Sequence, residues 1–200
     1  MWWWVVDIFS ECIFYSKEFL EGFFKMEHRI KKVLLSEEQI QKRIDELAEQ
    51  INIDYEGKSV IMIGILRGAV MFFTDLAKRL TIPVKMDFMA VSSYSGGTRT
   101  SGVVRMVHDL AENIEGKDVL IVEDIVDSGL TLSYLVNNLT LRKPNSIRIC
   151  CLLDKPYQRT RDIETNYVGF EIANEFVVGY GLDYKEYYRN LPYVGVLDVE

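Results

Sequence analysis

The chain has 200 residues, 48% of them hydrophobic and 26% charged, which suits one globular domain with a sizeable core. Its 23 basic and 30 acidic residues give a net charge of −7, so no overall positive field favours nucleic acid. The odd number and uneven spacing of Cys12, Cys150 and Cys151 exclude a disulfide framework and a cysteine metal site, and favour the reducing cytoplasm.

Residues 1–25 differ from the rest, because they are rich in apolar side chains and hold all three tryptophans. Charged residues such as Asp7, Glu11 and Lys17 interrupt this run, so neither a signal peptide nor a membrane-spanning helix is predicted. We interpret the segment as an N-terminal extension produced by a mis-assigned start codon, with Met26 as the natural first residue. An amphipathic helix that binds a partner or a membrane surface is the alternative.

Strands and helices are predicted to alternate along residues 26–200, which we expect to form one domain. The predicted elements are a helix that begins at a capping box of Ser36 and Gln39, a strand at 59–65, a helix at 69–80, strands at 84–91, 103–107 and 119–122, a helix at 132–141 and a strand at 147–153. This alternation predicts an α/β fold with a mostly parallel central sheet covered by helices on both faces. From Asp154 onward, short segments rich in Tyr and Gly predict a small subdomain rather than another strand–helix unit.

The stretch 119–132 is the most informative part of the sequence. Its apolar residues 119–122 predict a buried strand, Glu123 and Asp124 follow, and the turn 127–131 leads into a helix. Ligands bind at the carboxyl ends of such strands, and a turn that opens a helix offers N–H groups to a phosphate. Because paired carboxylates suit vicinal hydroxyls and Mg²⁺, we predict a site for a phosphorylated sugar. Taken alone, the turn could equally be an ordinary helix N-cap.

This stretch resembles the ribose-phosphate loop of the type I phosphoribosyltransferases. The resemblance implies that Glu123 and Asp124 face the ribose hydroxyls of phosphoribosyl pyrophosphate, directly or through Mg²⁺. It also implies that the 5′-phosphate is wrapped by the loop of Asp127, Ser128, Gly129, Leu130 and Thr131. Leu130 departs from the many relatives with a polar or basic residue at this position. Backbone N–H groups can still bind phosphate there, so we expect at most a modest effect.

Two earlier segments resemble the purine members of the same family. Leu66, Arg67 and Gly68 match a turn that holds pyrophosphate and that often contains a cis peptide in relatives. The polar loop 92–102, with Ser93 and Tyr94 near its start, matches the mobile loop of the hypoxanthine-guanine members. That match implies a lid that closes over pyrophosphate and keeps water from the activated sugar. In isolation, either segment would be an ordinary turn or surface loop.

The C-terminal third contains the residues that the resemblance assigns to the purine, a metal ion and pyrophosphate. It implies that Lys155 donates to the 6-oxo group of the purine, that Phe176 stacks on the ring, that Val177 offers backbone to its edge, that Asp183 binds a second Mg²⁺ and that Arg189 contacts pyrophosphate. A cation beside the base suits a carbonyl acceptor better than an exocyclic amine. His28 and His108 match no such position and are expected to be structural.

The resemblance covers nearly all of residues 26–200 and is closest to the bacterial hypoxanthine-guanine branch, with a small hood made of about 155–195 and the N-terminal part. It implies a cytoplasmic purine-salvage enzyme that forms homodimers or homotetramers. The implied reaction transfers 5-phosphoribosyl from phosphoribosyl pyrophosphate to hypoxanthine or guanine, giving IMP or GMP and pyrophosphate. Mg²⁺ is the implied cofactor, and Asp127 and Lys155 are the implied catalytic residues.

Two other hypotheses remain open at this point. One is the same chemistry on a different base, adenine or xanthine, although Lys155 and the segment around Phe176 argue against adenine. The other is a regulatory module that keeps the nucleotide site but controls RNA or DNA. The net charge of −7 and the complete set of lid and base residues argue against that role.

Overall fold

The structure is a computed structural model that describes residues 30–93 and 104–198. The N-terminal extension, His28 and most of the predicted lid, including Tyr94, lie outside the described residues. The elements are β1 (Ile30–Leu35), α1 (Glu37–Asp54), β2 (Val60–Leu66), α2 (Val70–Ala77), β3 (Val84–Ser93), β4 (Val104–His108), β5 (Asp118–Val126), α3 (Leu130–Thr140), β6 (Ser146–Asp154), a 3₁₀ helix (Pro156–Gln158), β7 (Tyr167–Glu171), β8 (Val177–Val178) and β9 (Val194–Leu197).

The strands form two sheets, and the larger one confirms the predicted α/β fold. Its six strands run in the order β4-β3-β2-β5-β6-β7, and every neighbouring pair is parallel except β3 and β4. The second sheet has three antiparallel strands in the order β1-β9-β8, so it joins the two ends of the described chain. Within the described ranges, no helix has the length and apolar character needed to cross a membrane.

The large sheet is covered on both faces, because alternate residues of its central strands point to opposite sides. On one face, Met62 and Leu120 belong to the same core as α1 and α2. On the other face, Ile63 and Ile121 share a core with α3. The inner strands are therefore apolar on both faces, as the continuous apolar runs predict.

Helix α1 confirms the predicted capping box. The Ser36 N–H donates to Gln39 Oε1 at 2.8 Å, and the Gln39 N–H donates to Ser36 Oγ at 3.3 Å. Both thiols of Cys150 and Cys151 are buried and free, as expected for apolar strand residues. Burial raises the pKa of each thiol, so neither is a reactive thiolate at neutral pH.

Two predicted boundaries are wrong in informative ways. Strand β5 continues to Val126 because its pairing with β6 extends to Asp154, so the acidic pair lies inside the strand rather than after it. Helix α2 ends at Ala77, three residues before the predicted end at Leu80. Beyond Asp154, β7 extends the large sheet in parallel with β6, although only a short 3₁₀ helix is described between them.

Candidate active site

The carboxyl ends of β2 and β5 bring the residues predicted to bind ribose, phosphate and pyrophosphate together in one cleft. One cavity there is lined by the turn after β2, the acidic pair of β5 and the loop before β9, namely Leu66, Arg67, Gly68, Glu123, Asp124, Thr131, Asp183 and Arg189, together with Ile65 and Val91. A second cavity is lined by the consecutive residues 123–132. Because Glu123, Asp124 and Thr131 line both, the two cavities adjoin.

The acidic pair lines both cavities, with Glu123 buried and Asp124 partly buried. Glu123 is only 8% exposed, and its Oε2 atom has no hydrogen-bond partner among the described residues. Burial raises the pKa of Glu123 well above its ordinary value, and the neighbouring charge of Asp124 raises it further. Burial also raises the pKa of Asp124 to about 6, although hydrogen bonds from backbone N–H groups and the Arg189 charge oppose this. A buried carboxylate without a partner calls for a hydroxyl donor or a cation.

In metal-free buffer, we expect Asp124→Asn to raise the free energy of unfolding at pH 7.5 by about 3 kcal/mol, since one pKa unit is worth about 1.4 kcal/mol. The folded pKa of about 6 exceeds the ordinary value of 3.8, so the folded protein binds this proton more tightly than the unfolded chain. The stability linked to protonation is therefore full below about pH 4 and lost as pH rises through about 6. The advantage of Asn should thus be small near pH 4. Urea unfolding at both pH values measures it, and equal stabilities at pH 7.5 would contradict the account.

The predicted phosphate loop, residues 127–131, packs against the segment that contains Thr160 and Arg161. Gly129 has a left-handed φ of 78°, and a Cβ at this residue would lie 3.2 Å from the carbonyl oxygen of Arg161. The Ser128 carbonyl accepts hydrogen bonds from the backbone N–H groups of Thr160 and Arg161 at 3.0 and 3.2 Å. The loop ends at Leu130, where α3 begins, so the first N–H groups of that helix are available to an anion in the cavity.

The two predicted catalytic residues are neighbours. Lys155 Nζ lies 3.3 Å from Asp127 Oδ2, and the Lys155 N–H donates to the Val126 carbonyl at 2.9 Å. The lysine side chain is 8% exposed and the aspartate side chain 52%. A buried ammonium group therefore forms an ion pair with a carboxylate that is open to solvent. Pairing of β5 with β6 produces this arrangement, because Val126 and Asp154 are register partners.

An ion pair beside Lys155 could not be predicted from the sequence. Arg159 Nη2 lies 2.7 Å from Asp154 Oδ1, and both side chains are largely buried. Arg159 also donates to the Ile163 carbonyl at 2.7 Å, which fixes the segment after Lys155. The spacing of Asp154 and Arg159 does not predict a buried ion pair, because in the sequence each could be an ordinary surface charge.

The two residues predicted to contact the purine lie at the start of β8 in the second sheet. Phe176 is 44% exposed and meets Tyr184 edge to face, with ring centroids 5.7 Å apart. Val177 is buried in β8 and pairs with Val196. Neither residue lines the two cavities of the acidic pair, so the structure does not bring them into that cleft. The backbone of Ser93 ends β3, where it pairs with Val104.

The turn after β2 packs closely against Asp124 of β5 and against Gly181 in the loop before β9. The Leu66–Arg67 peptide is cis. A Cβ added to Gly68 would lie only 1.6 Å from Asp124 Oδ2, and one added to Gly181 would lie 1.9 Å from the Gly68 carbonyl oxygen. Glycine at 68 therefore lets the turn contact the Asp124 carboxylate, and glycine at 181 lets the loop before β9 contact the Gly68 carbonyl.

Two arginines stand at the mouth of the cleft, each paired with carboxylates. The Arg67 guanidinium binds Glu186 through both terminal nitrogens, at 2.9 and 3.0 Å. Arg189 Nη2 lies 2.8 Å from Asp183 Oδ1, and Arg189 Nη1 donates to the Gly181 carbonyl at 2.8 Å. Glu186 is a residue of this site that the sequence did not suggest.

Comparison with known proteins agrees with this geometry. Residues 32–185 match the phosphoribosyl transferase domain family. The chain is 57% identical over 175 residues to a hypoxanthine-guanine phosphoribosyltransferase of Mycobacterium tuberculosis, covering 84% of this chain and 87% of that protein. It is 54% identical over 172 residues to the Bacillus subtilis enzyme of the same name, covering 86% and 96%.

A solved structure and a longer relative complete the comparison. The hypoxanthine phosphoribosyltransferase of Staphylococcus aureus has a TM-score of 0.83 at 53% identity, covering 86% of this chain and 94% of that one. The bifunctional protein TilS/HprT of Listeria monocytogenes is 53% identical over 175 residues, but the chain spans only 27% of its length.

The mostly parallel sheet and the family match over residues 32–185 define a type I phosphoribosyltransferase. With its high identity to near full-length relatives, the chain belongs to the bacterial hypoxanthine-guanine phosphoribosyltransferase family.

Proposed function

We propose that this protein transfers 5-phosphoribosyl from phosphoribosyl pyrophosphate to hypoxanthine and guanine, giving IMP or GMP and pyrophosphate. The observation that carries the proposal is the contact of Asp127 with Lys155 beside the phosphate loop and the acidic pair. One cleft thus offers a phosphate cradle, carboxylates for ribose hydroxyls and a base-and-cation pair for a purine. The reaction belongs to purine salvage, and the cytoplasm is its proposed location.

The leaving group would be stabilised at the mouth of the cleft. As the bond from ribose C1 to pyrophosphate breaks, negative charge grows on the departing oxygens. Arg67 and Arg189 line the cavity where that charge would develop, so their guanidinium groups are the proposed electrostatic partners. Ser128, Gly129, Leu130 and Thr131 would hold the 5′-phosphate in the adjoining cavity, which fixes the ribose between the two anions.

Glu123, Asp124 and Asp183 are the residues that would hold Mg²⁺, which when bound supplies positive charge to pyrophosphate oxygens. The unpartnered Oε2 of Glu123 and the raised pKa of Asp124 fit a cation or a hydroxyl donor at this place. Within the described residues, no three His, Cys, Asp or Glu side chains form a ready-made metal cluster. Mg²⁺ usually binds proteins through one or two carboxylates plus substrate oxygens.

Proton transfer is assigned to Asp127. The carboxylate would take the proton from purine N7 while N9 attacks ribose C1. Lys155 would donate to the 6-oxo group, since its ammonium is buried within reach of the same carboxylate. Phe176 would stack on the ring and the Val177 backbone would meet its edge, from the hood side.

The domain limits, the assembly and the lid are part of the same proposal. Residues 26–200 would form the catalytic domain, with β1, β8 and β9 in its hood, and residues 1–25 an extension to it. The lid over pyrophosphate would begin near Ser93 and Tyr94. The working assembly would be a homodimer or a homotetramer.

Steady-state kinetics with hypoxanthine, guanine, xanthine and adenine in parallel test the proposed function. We expect kcat/KM for hypoxanthine to exceed that for adenine by at least about 10²-fold, because the Lys155 ammonium has no acceptor in the 6-amino group. Equal values for adenine and hypoxanthine would overturn the assignment of the base.

Replacement of Lys155 by Gln is expected to raise KM for hypoxanthine by about 10- to 100-fold, since hydrogen bonds to charged groups are worth about 1.5–3 kcal/mol. KM for phosphoribosyl pyrophosphate should change little. Lys78→Gln is the matched control, because Lys78 is an exposed lysine in a surface pair with Asp75. If both variants kept the wild-type KM for hypoxanthine, Lys155 would have no role in base binding.

A further inference from the structure

We propose that Glu186 is a built-in competitor for pyrophosphate: its carboxylate occupies the Arg67 guanidinium in the substrate-free enzyme and leaves when pyrophosphate binds. This inference rests on the proposed function, because it takes Arg67 as a pyrophosphate contact. It adds a residue that tunes substrate affinity and product release to those that bind the substrate directly.

The contact between Glu186 and Arg67 is bidentate. Both terminal nitrogens of Arg67 face the two carboxylate oxygens at 2.9 and 3.0 Å, a bidentate pair of the kind that guanidinium also forms with phosphate. Glu186 Oε2 lies 3.4 Å from Arg189 Nη2 as well. One carboxylate therefore contacts both arginines that are proposed to receive the leaving group.

The pair can open at low cost because it lies at the surface. The side chains of Arg67 and Glu186 are 69% and 57% exposed, so water can solvate both charges when they separate. Exposed ion pairs contribute little to stability, which makes exchange with a multiply charged anion feasible. By contrast, the Arg189 pair with Asp183 is the more enclosed, at 23% and 29% exposure.

The backbone around Glu186 is fixed independently of Arg67. The Glu186 N–H donates to Asp183 Oδ2 at 2.9 Å, and Tyr184 and Tyr187 form a backbone bridge across the turn. Lys185 and Glu186 have left-handed φ values of 53° and 69°, which few residues other than glycine adopt. Release of Arg67 therefore requires rotation of the glutamate side chain alone, while Asp183 and Arg189 keep their positions.

Isothermal titration calorimetry with pyrophosphate in saturating Mg²⁺ tests the inference. We expect Glu186→Gln to bind pyrophosphate about two- to fivefold more tightly than wild type, because glutamine removes the competing charge and keeps the side-chain size. The matched control is Glu112→Gln, which removes one negative charge from a surface pair with Lys85 and should leave the affinity unchanged. In an Arg67→Gln background, the effect of Glu186→Gln should fall to below about half of its wild-type value.

The outcomes separate this inference from the proposed function. If wild type binds pyrophosphate and Glu186→Gln binds it equally or more weakly, Glu186 is not a competitor and only the inference falls. The same holds if the gain persists in full without Arg67. If the wild-type protein binds no pyrophosphate in saturating Mg²⁺, the proposed function falls together with the inference.

Discussion

The Asp127→Asn variant is expected to lose about 10²- to 10⁴-fold in kcat, the range that a positioned general base contributes. Asparagine keeps the size of the side chain but has no basic oxygen to take the purine proton. Its oxygen can still accept from Lys155, which lies 3.3 Å from Asp127 Oδ2, so the cleft should keep its shape. KM for phosphoribosyl pyrophosphate should therefore change little, and stopped-time assays of IMP formation across substrate concentrations measure both constants.

Asp109→Asn is the matched control for this experiment. Asp109 is 50% exposed and paired with Arg142, so it resembles Asp127 in exposure and in having a basic partner, but it does not line the cleft. The control should keep the wild-type kcat. Near-normal turnover in the Asp127 variant would remove Asp127 from the mechanism, whereas equal losses in both variants would indicate a general effect of charge.

Replacement of Gly68 by Ala is the second change with a large expected effect, a fall in kcat/KM of about 10²-fold. The new Cβ would lie 1.6 Å from Asp124 Oδ2 and 2.5 Å from Asp124 Cγ, so the carboxylate or the turn must move. A displacement of about 1 Å in a positioned group is enough for a loss of this size. Because the turn precedes α2 and carries Arg67, the same shift should weaken pyrophosphate binding.

Gly57→Ala separates this steric effect from a general cost of replacing glycine. Gly57 has a left-handed φ of 72° and no atom within 4 Å of the added Cβ, so alanine there strains backbone without meeting a neighbour. We expect this control to lower the thermal midpoint but keep kcat/KM. Thermal unfolding and kinetics on both variants check the pair of outcomes, and a fully active Gly68→Ala enzyme would refute the close approach to Asp124.

Features set by short-range patterns could be predicted from the sequence. The capping box of Ser36 and Gln39 needs only a spacing of three residues, and the structure confirms it. Runs of apolar residues likewise indicated the inner strands of the sheet. The acidic pair was predicted to follow β5, because apolar character stops at Val122. Pairing with β6 carries the strand further, and such pairing is a tertiary effect.

Contacts between distant residues were beyond the reach of the same patterns. Arg67 and Glu186 are 119 positions apart, and no local spacing relates them. The approach of Gly68 to Asp124 depends on how β2 and β5 align in the sheet, and the second sheet needs β1 and β9 from opposite ends of the chain. Resemblance to relatives supplied the proposed role of Arg67, whereas its contact with Glu186 is visible only in the three-dimensional structure.

The most direct test is nucleotide formation by the purified protein from phosphoribosyl pyrophosphate, Mg²⁺ and hypoxanthine, followed by absorbance and identified by mass. The account predicts IMP and pyrophosphate in equal amounts, at a rate that falls by about 10²-fold or more in the Asp127→Asn variant. No nucleotide with hypoxanthine, guanine, xanthine or adenine, together with specific retention of RNA, would contradict it and favour a regulatory binding protein.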